Sequence, residues 1–82
     1  MSETFELREE FITLGQLLKF LGQIQTGGEA RTFLAEIRVR VNGEREARRG
    51  RKLYAGDVVE IPGESVVTIA APSGPATAAS TS

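Results

Sequence analysis

Hydrophobic residues in the first half of the chain recur at helical spacing in two segments. Residues 13–16, Thr-Leu-Gly-Gln, have the spacing of a capping box, and leucines follow at positions 14, 17, 18 and 21. Gly22 stands where the C-terminus of this helix is expected. A second capping box, residues 26–29, precedes an apolar set at the same spacing, namely Ala30, Phe33, Leu34 and Ile37. Because only four or five residues join the two helices, we expect them to pack against each other.

After Glu36 the hydrophobic period changes from that of a helix to that of a strand. Residues 38–41 read Arg-Val-Arg-Val, an alternation that predicts a half-buried strand with Arg38 and Arg40 facing outward. Asn42 and Gly43 follow directly, and this pair favours a type I′ turn, in which both central residues need positive φ. A hairpin is therefore predicted, with its return strand beginning near residues 44–46.

Shorter segments complete the predicted sheet. Residues 4–8 indicate a strand before the first helix, residues 53–57 a turn, and residues 58–61 and 65–70 two further strands. The predicted fold class is α+β, with two N-terminal helices packed on a small, mostly antiparallel β-sheet.

The chain of 82 residues is long enough for one small domain. We predict an N-terminal strand or extension over residues 1–10, the domain itself over residues 11–70, and a tail over residues 71–82. The tail contains no charge and no large apolar residue, so we expect it to be disordered.

The composition excludes several kinds of chemistry. There is no cysteine and no histidine, so disulfides, thiolate nucleophiles and the commonest general base and metal ligand are ruled out. We expect no catalytic residue, no metal site and no cofactor. No apolar run approaches the roughly 20 residues that span a bilayer, and the acidic N-terminus has no signal-peptide pattern. A cytoplasmic protein with no membrane partner is therefore expected.

Charge is segregated along the chain, although the net charge is only −1. Residues 31–52 hold eight basic residues and three glutamates, a net charge of +5. The other sixty residues hold two basic and eight acidic residues, a net charge of −6. Such segregation favours a polyanionic partner, since an ordinary surface intersperses the two signs.

The order of these features resembles the RNA-binding domain first known from small-subunit ribosomal protein S-four, here called the S-four domain. The resemblance covers about residues 11–61 and rests on Leu14, Leu17 and Leu18, residues 28–31, Phe33 and Leu34, residues 39–43, and residues 56–60. Residues 11–19, 27–30 and 48–54 are closer to its small stand-alone YaaA-like branch. The resemblance implies an αL-motif fold whose basic face holds structured RNA and does no chemistry.

The expected partner is a structured RNA, either rRNA or a tRNA-like stem-loop, bound through phosphates and shape. Arginine pairs bidentately with phosphate and also stacks on bases, and a helix N-terminus with two glycines favours an anion. The candidate RNA-binding residues are Gln16, Lys19, Thr26, Gly27, Gly28, Arg31, Arg38, Arg40, Asn42, Arg48, Arg49, Arg51 and Lys52. We also expect a monomer, with a ribosomal or replication-associated protein as a further partner.

Simpler interpretations of the same residues stay open. Residues 48–52 also fit a solvated loop, Gly27 and Gly28 a plain helix entry, and Asn42 a turn residue only. The alternative function is that of an adaptor, whose basic face docks an acidic protein while strands 58–61 and 65–70 offer a free edge.

Overall fold

The computed structural model describes residues 2–72. Its elements, in chain order, are β1 (Ser2–Glu6), β2 (Ile12–Thr13), α1 (Leu14–Phe20), α2 (Gly27–Glu36), β3 (Arg40–Val41), β4 (Glu44–Arg45), β5 (Lys52–Leu53), β6 (Val58–Ile61) and β7 (Ser65–Ala70). Two strands precede α1, so the expectation of two N-terminal helices is corrected in the order of elements. The strand predicted ahead of the first helix is present, but it ends at Glu6 because residues 8–10 form a bend.

Both helices begin at the predicted capping boxes. In α1, Thr13 Oγ1 accepts the N–H of Gln16 at 3.3 Å, and Gln16 Oε1 accepts the N–H of Thr13 at 3.1 Å. In α2, Thr26 and Glu29 make the same reciprocal pair at 3.3 and 3.0 Å. Gly22 follows α1 with a φ of +77°, a left-handed conformation that suits glycine. Local side-chain chemistry therefore sets where each helix begins and where the first one ends.

The main sheet has the strand order β1-β7-β6-β3-β4. Within residues 2–72 its pairings are antiparallel except that of β1 with β7, which run parallel with Ser2 opposite Val66. The prediction of a mostly antiparallel sheet is confirmed. The expectation that residues 58–61 and 65–70 offer a free edge is wrong, because β6 and β7 are interior strands and β1 and β4 form the edges.

Asn42 and Gly43 form the predicted turn of the hairpin, with φ angles of 54° and 87°. The Asn42 side chain also ties the hairpin to the following turn. Its Nδ2 donates to Asp57 Oδ1 at 3.1 Å, and its Oδ1 accepts the N–H of Val58 at 2.9 Å. The amide of Asn42 is thus engaged inside the fold on both its donor and its acceptor side.

One hydrophobic cluster joins the two helices to the inward-facing residues of the strands. Leu14, Leu17 and Leu18 of α1 are completely buried in it, together with residues from α2 and five strands. Fully burying one such side chain stabilises a fold by about 1.5–3 kcal/mol, so these leucines attach α1 firmly to the rest of the domain. Val39 and Val41 are buried while Arg38 and Arg40 are exposed, which confirms the predicted alternation.

Most of the predicted tail, residues 73–82, lies outside the described residues, and the division into extension, domain and tail stays a prediction. Within residues 2–72 no helix has the length and apolar character needed to cross a membrane. In that same part of the chain, no group of three or more carboxylate, imidazole or thiol side chains is placed to hold a metal ion.

Candidate nucleic-acid interface

The segment with the highest density of positive charge, residues 48–52, is attached by its backbone to the start of α1. We call it the basic loop. The N–H of Leu14 donates to the carbonyl of Arg51 at 2.8 Å, and the N–H of Gly15 donates to the carbonyl of Arg49 at 2.8 Å. Lys52 then pairs with Thr13 across β2 and β5. Because carbonyls of the loop occupy the first free N–H groups of α1, the loop backbone has a fixed position.

Arg49 connects the starts of both helices. A Cβ atom on Gly15 would lie 3.3 Å from both the Cβ and the carbonyl oxygen of Arg49, so the loop passes closer to α1 than most side chains would permit. The Arg49 guanidinium reaches the other helix, where Nη1 donates to the carbonyl of Gly27 at 3.0 Å. The loop and both helix N-termini therefore form one unit.

Glu46 organises the arginine side chains of the basic loop. Its carboxylate is buried and accepts from Arg48 Nε at 2.8 Å, from Arg48 Nη2 at 3.2 Å and from Arg51 Nη1 at 2.9 Å. It also accepts the backbone N–H of Arg48 at 3.1 Å. The hydrogen bonds from Arg48 hold the pKa of Glu46 at about 2 instead of 4.5, although burial acts in the opposite direction. Glu46 is therefore ionised at neutral pH.

This carboxylate neutralises only part of the positive charge of the basic loop. The loop holds four basic residues, Arg48, Arg49, Arg51 and Lys52. Arg48 and Arg51 bond to the one carboxylate of Glu46, and the Arg48 side chain remains 76% exposed while held by it. The ion pair also raises the pKa of Arg48. Sequence reasoning missed Glu46, although one signal was present: its N–H pairs with the carbonyl of the buried Val39, so the hairpin register places it beside an inward-facing position.

The N-terminus of α2 adjoins the basic loop through Arg49. The N–H groups of Gly27 and Gly28 belong to the first turn, where a helix offers them no internal acceptor. Thr26 caps this turn, and Arg31 is exposed one turn further along α2. Of the predicted site residues, these four and the basic loop are brought into one region.

Arg38 and Arg40 lie in different surroundings. They line an open groove of about 780 Å³ together with three carboxylates, Glu36, Glu60 and Glu64, and none of its lining residues belongs to the basic loop. Arg40 is also paired in register with Glu60 on β6. These two arginines are therefore on a surface of mixed charge.

The remaining candidates have structural roles or stand apart. Gln16 closes the capping box of α1 and lines an apolar hollow with Phe11 and Phe20. Lys19 is exposed in the last turn of α1. Lys52 places its Nζ 4.9 Å from the centre of the Phe11 ring, a cation–π contact next to the basic loop.

This combination of two capped helices, a hairpin and a fixed basic loop agrees with a known family. A family model described as S4 domain matches residues 5–69. The chain belongs to this family. The resemblance to the S-four domain is confirmed, and the match extends from β1 to the end of the sheet.

Two relatives of this S4 domain protein have names that bear on function. "Probable ribosome maturation protein RlbA" of Bacillus subtilis (strain 168) is 56% identical over 63 residues, which cover 77% of this chain and 89% of the relative. "Putative RNA-binding protein YbcJ" of Escherichia coli (strain K12) is 37% identical over 68 residues, covering 82% of this chain and 97% of the relative. Family and names support RNA binding in general, and neither name is that of an enzyme.

Proposed function

We propose that this protein binds structured RNA, an rRNA segment or a tRNA-like stem-loop, through the basic loop and the N-terminus of α2. Binding uses phosphate and shape contacts and involves no catalytic step. The protein acts as a monomer in the cytoplasm, and a ribosomal or replication-associated protein is a further partner. The name of the Bacillus subtilis relative favours an RNA of the ribosome over a tRNA.

The observation that carries the proposal is the buried carboxylate of Glu46 beneath the exposed Arg48 and the half-buried Arg51. A solvated charge run has no need for a buried acid that orients its side chains, and burying a carboxylate is costly unless it is paired. Here the pairing holds the guanidinium groups of Arg48 and Arg51 in place before any RNA arrives. Less side-chain entropy is then lost on binding, which is the general benefit of preorganisation.

Further support comes from the geometry around the basic loop. Arg49 holds the loop against Gly27, next to N–H groups that suit a phosphate oxygen. Arg31 adds a positive charge on the same helix. A-form RNA presents phosphates and 2′-hydroxyls across a shallow minor groove, and a rigid surface of this kind reads such a groove by shape.

The test compares two double variants that remove the same charge from different surfaces. Arg49→Ala with Lys52→Ala alters the basic loop and leaves the Glu46 pairs intact, whereas Arg38→Ala with Arg40→Ala alters the mixed groove. Binding of an rRNA stem-loop is measured from 50 to 300 mM salt. We expect the loop variant to reduce the slope of log K against log salt by about 1–2, since each phosphate contact contributes roughly 0.7–0.9. The groove variant should change the slope by less than half as much.

Equal effects of the two double variants would contradict the assignment of the interface to the basic loop. A wild-type protein that binds no stem-loop at 50 mM salt would refute the proposed function. In that case the alternative function, that of an adaptor, would be favoured. An acidic protein should then bind the basic loop with an affinity that depends less on salt than RNA binding does. The adaptor has already lost one of its supports, because β6 and β7 offer no free edge.

A further inference from the structure

An exposed aromatic ring stands beside the basic loop. Tyr54 directly follows β5 and is 44% exposed. Its ring centre lies 5.8 Å from that of Phe11, at an interplanar angle of 50°. The Nζ atom of Lys52 lies 4.9 Å from the centre of the Phe11 ring. The tyrosine is therefore supported by an aromatic ring and leaves 44% of its surface to solvent.

The backbone on both sides of Tyr54 is held in place. The preceding residue, Leu53, is completely buried. The N–H of Tyr54 donates to Asp57 Oδ2 at 2.8 Å, and its carbonyl accepts the N–H of Asp57 at 3.0 Å. The opposite oxygen of the same carboxylate accepts from Asn42 on the hairpin. Tyr54 is thus an exposed ring on a fixed support, as a stacking surface requires.

Tyr54 and the basic loop together line one open hollow. Its volume is about 540 Å³, and its lining consists of Arg48, Gly50, Arg51, Lys52 and Tyr54. This volume falls in the range of roughly 300–1,000 Å³ that is usual for small-ligand sites. The hollow therefore combines positive charge for a phosphate with one aromatic face for a base, and Gly50 leaves room between them.

We infer that this hollow holds one unpaired nucleotide of the bound RNA, with its base stacked on Tyr54 and its phosphate near Arg48 and Arg51. The inference rests on the proposed function and specifies the kind of RNA that the site selects. Bases inside an A-form helix are not accessible to a side chain in this way, whereas bases in bulges and loops are. The preferred RNA is then a stem interrupted or closed by at least one unpaired nucleotide next to the phosphates that the loop contacts.

The test uses two RNA hairpins that differ by one bulged adenosine in the stem. Binding to wild-type protein, to Tyr54→Ala and to Tyr54→Phe is measured at one salt concentration. We expect Tyr54→Ala to weaken binding of the bulged RNA by about 5- to 150-fold, the range seen for loss of one base–aromatic stack. Binding of the unbulged RNA should change by less than twofold, and Tyr54→Phe should bind like wild type because it keeps the ring.

A second measurement detects the stacking of a base on Tyr54 directly. The chain has one tyrosine and no tryptophan, so its intrinsic fluorescence comes from Tyr54 alone. Bulged RNA should quench this fluorescence, corrected for absorption by the RNA, and unbulged RNA should quench it much less. Tyr54→Leu, with its melting temperature measured, shows whether an apolar side chain of similar bulk suffices for folding without supporting the stack.

Several outcomes would overturn this inference while leaving the proposed function intact. They are an equal loss for both RNAs with Tyr54→Ala, no quenching by bulged RNA, and binding of Tyr54→Leu equal to that of wild type. Binding of adenosine monophosphate as tight as that of the bulged RNA would assign the hollow to a free nucleotide instead. If wild-type protein binds neither hairpin, both the proposed function and this inference fail.

Discussion

Replacing Glu46 by glutamine tests the role of the buried carboxylate most directly. The change preserves the size of the side chain and removes its charge. It also places an amide N–H₂ group among three guanidinium donors, those of Arg48 Nε, Arg48 Nη2 and Arg51 Nη1. At least one of these charge-assisted hydrogen bonds must then be lost, and the others become weaker.

The size of the effect follows from the pKa of Glu46. A decrease from 4.5 to about 2 corresponds to about 3 kcal/mol in favour of the ionised form in the folded state. Solvent screens part of this interaction, because the Arg48 side chain is 76% exposed. We therefore expect Glu46→Gln to lower the free energy of unfolding by roughly 1–3 kcal/mol at pH 7. In so small a domain this lowers the melting temperature by roughly 5–20 °C.

Thermal unfolding should be followed by circular dichroism between pH 7 and pH 2. The pKa of Glu46 is lower in the folded state than in the unfolded state, so its stabilising contribution is complete well above pH 4.5 and is lost as the pH falls towards 2. The difference in melting temperature between wild type and Glu46→Gln should accordingly be largest at neutral pH and small near pH 2. Comparing the two proteins at each pH isolates the contribution of Glu46.

RNA binding gives a second result whose sign decides between two explanations. Removing a negative charge should strengthen RNA binding if only the net charge matters. Weaker binding is expected if Glu46 acts by holding Arg48 and Arg51 in position, and this is our prediction. Glu44→Gln is the matched control, since Glu44 is exposed on β4 and the charge change is the same. The reasoning is refuted if Glu46→Gln matches Glu44→Gln in melting temperature at every pH, or if it binds the stem-loop more tightly than wild type.

Two further predictions concern the backbone. Gly15→Ala should displace the basic loop, because its Cβ would lie 3.3 Å from Arg49, and should weaken RNA binding several-fold in a titration; unchanged binding would contradict this displacement. A melting temperature that changes little is expected for Gly15→Ala, since alanine gains up to about 1 kcal/mol in helix propensity. Asn42→Ala should lower the free energy of unfolding, measured with urea, by about 2–4 kcal/mol, because two hydrogen bonds are lost and alanine disfavours a φ of 54°. Asn42→Gly should cost about 1 kcal/mol less, because glycine tolerates that φ; equal costs would contradict the contribution from φ.

The parts of the fold that could be predicted from the sequence are those set by neighbouring residues. Both capping boxes involve residues three positions apart, and the turn at Asn42 and Gly43 depends on the φ preferences of two adjacent residues. The alternation around Val39 and Val41 was enough to place Arg38 and Arg40 on the outer face. The structure confirms these features. Local preferences were sufficient to predict them because the tertiary contacts agree with those preferences.

The position of the basic loop escaped prediction because it depends on residues far apart in the chain. The pairing of β2 with β5 joins two residues of each strand that are about forty positions apart in the chain, so no local pattern predicts it. That pairing determines where the basic loop lies, and hence that Arg49 rather than Arg40 reaches the helix N-termini. Glu46 was missed for a different reason: in a charge run it looks solvated, although the turn at Asn42 and Gly43 sets a register that places it beside the buried Val39. Arg48 and Arg51 are consequently harder to replace than surface charges, since removing both would leave Glu46 buried and unpaired.

The parallel pairing of β1 with β7 has a consequence for how the chain is made. Ser2 lies opposite Val66 and Glu6 opposite Ala70, so among the strands of residues 2–72 the first to be synthesised pairs with the last. During translation β1 has no partner until residues 65–70 have left the ribosome, and pairs so distant in sequence are slow to form. The charges of Glu3 and Glu6 disfavour pairing of β1 with other chains before β7 is available. The main sheet is therefore completed only after the chain has been synthesised through Ala70.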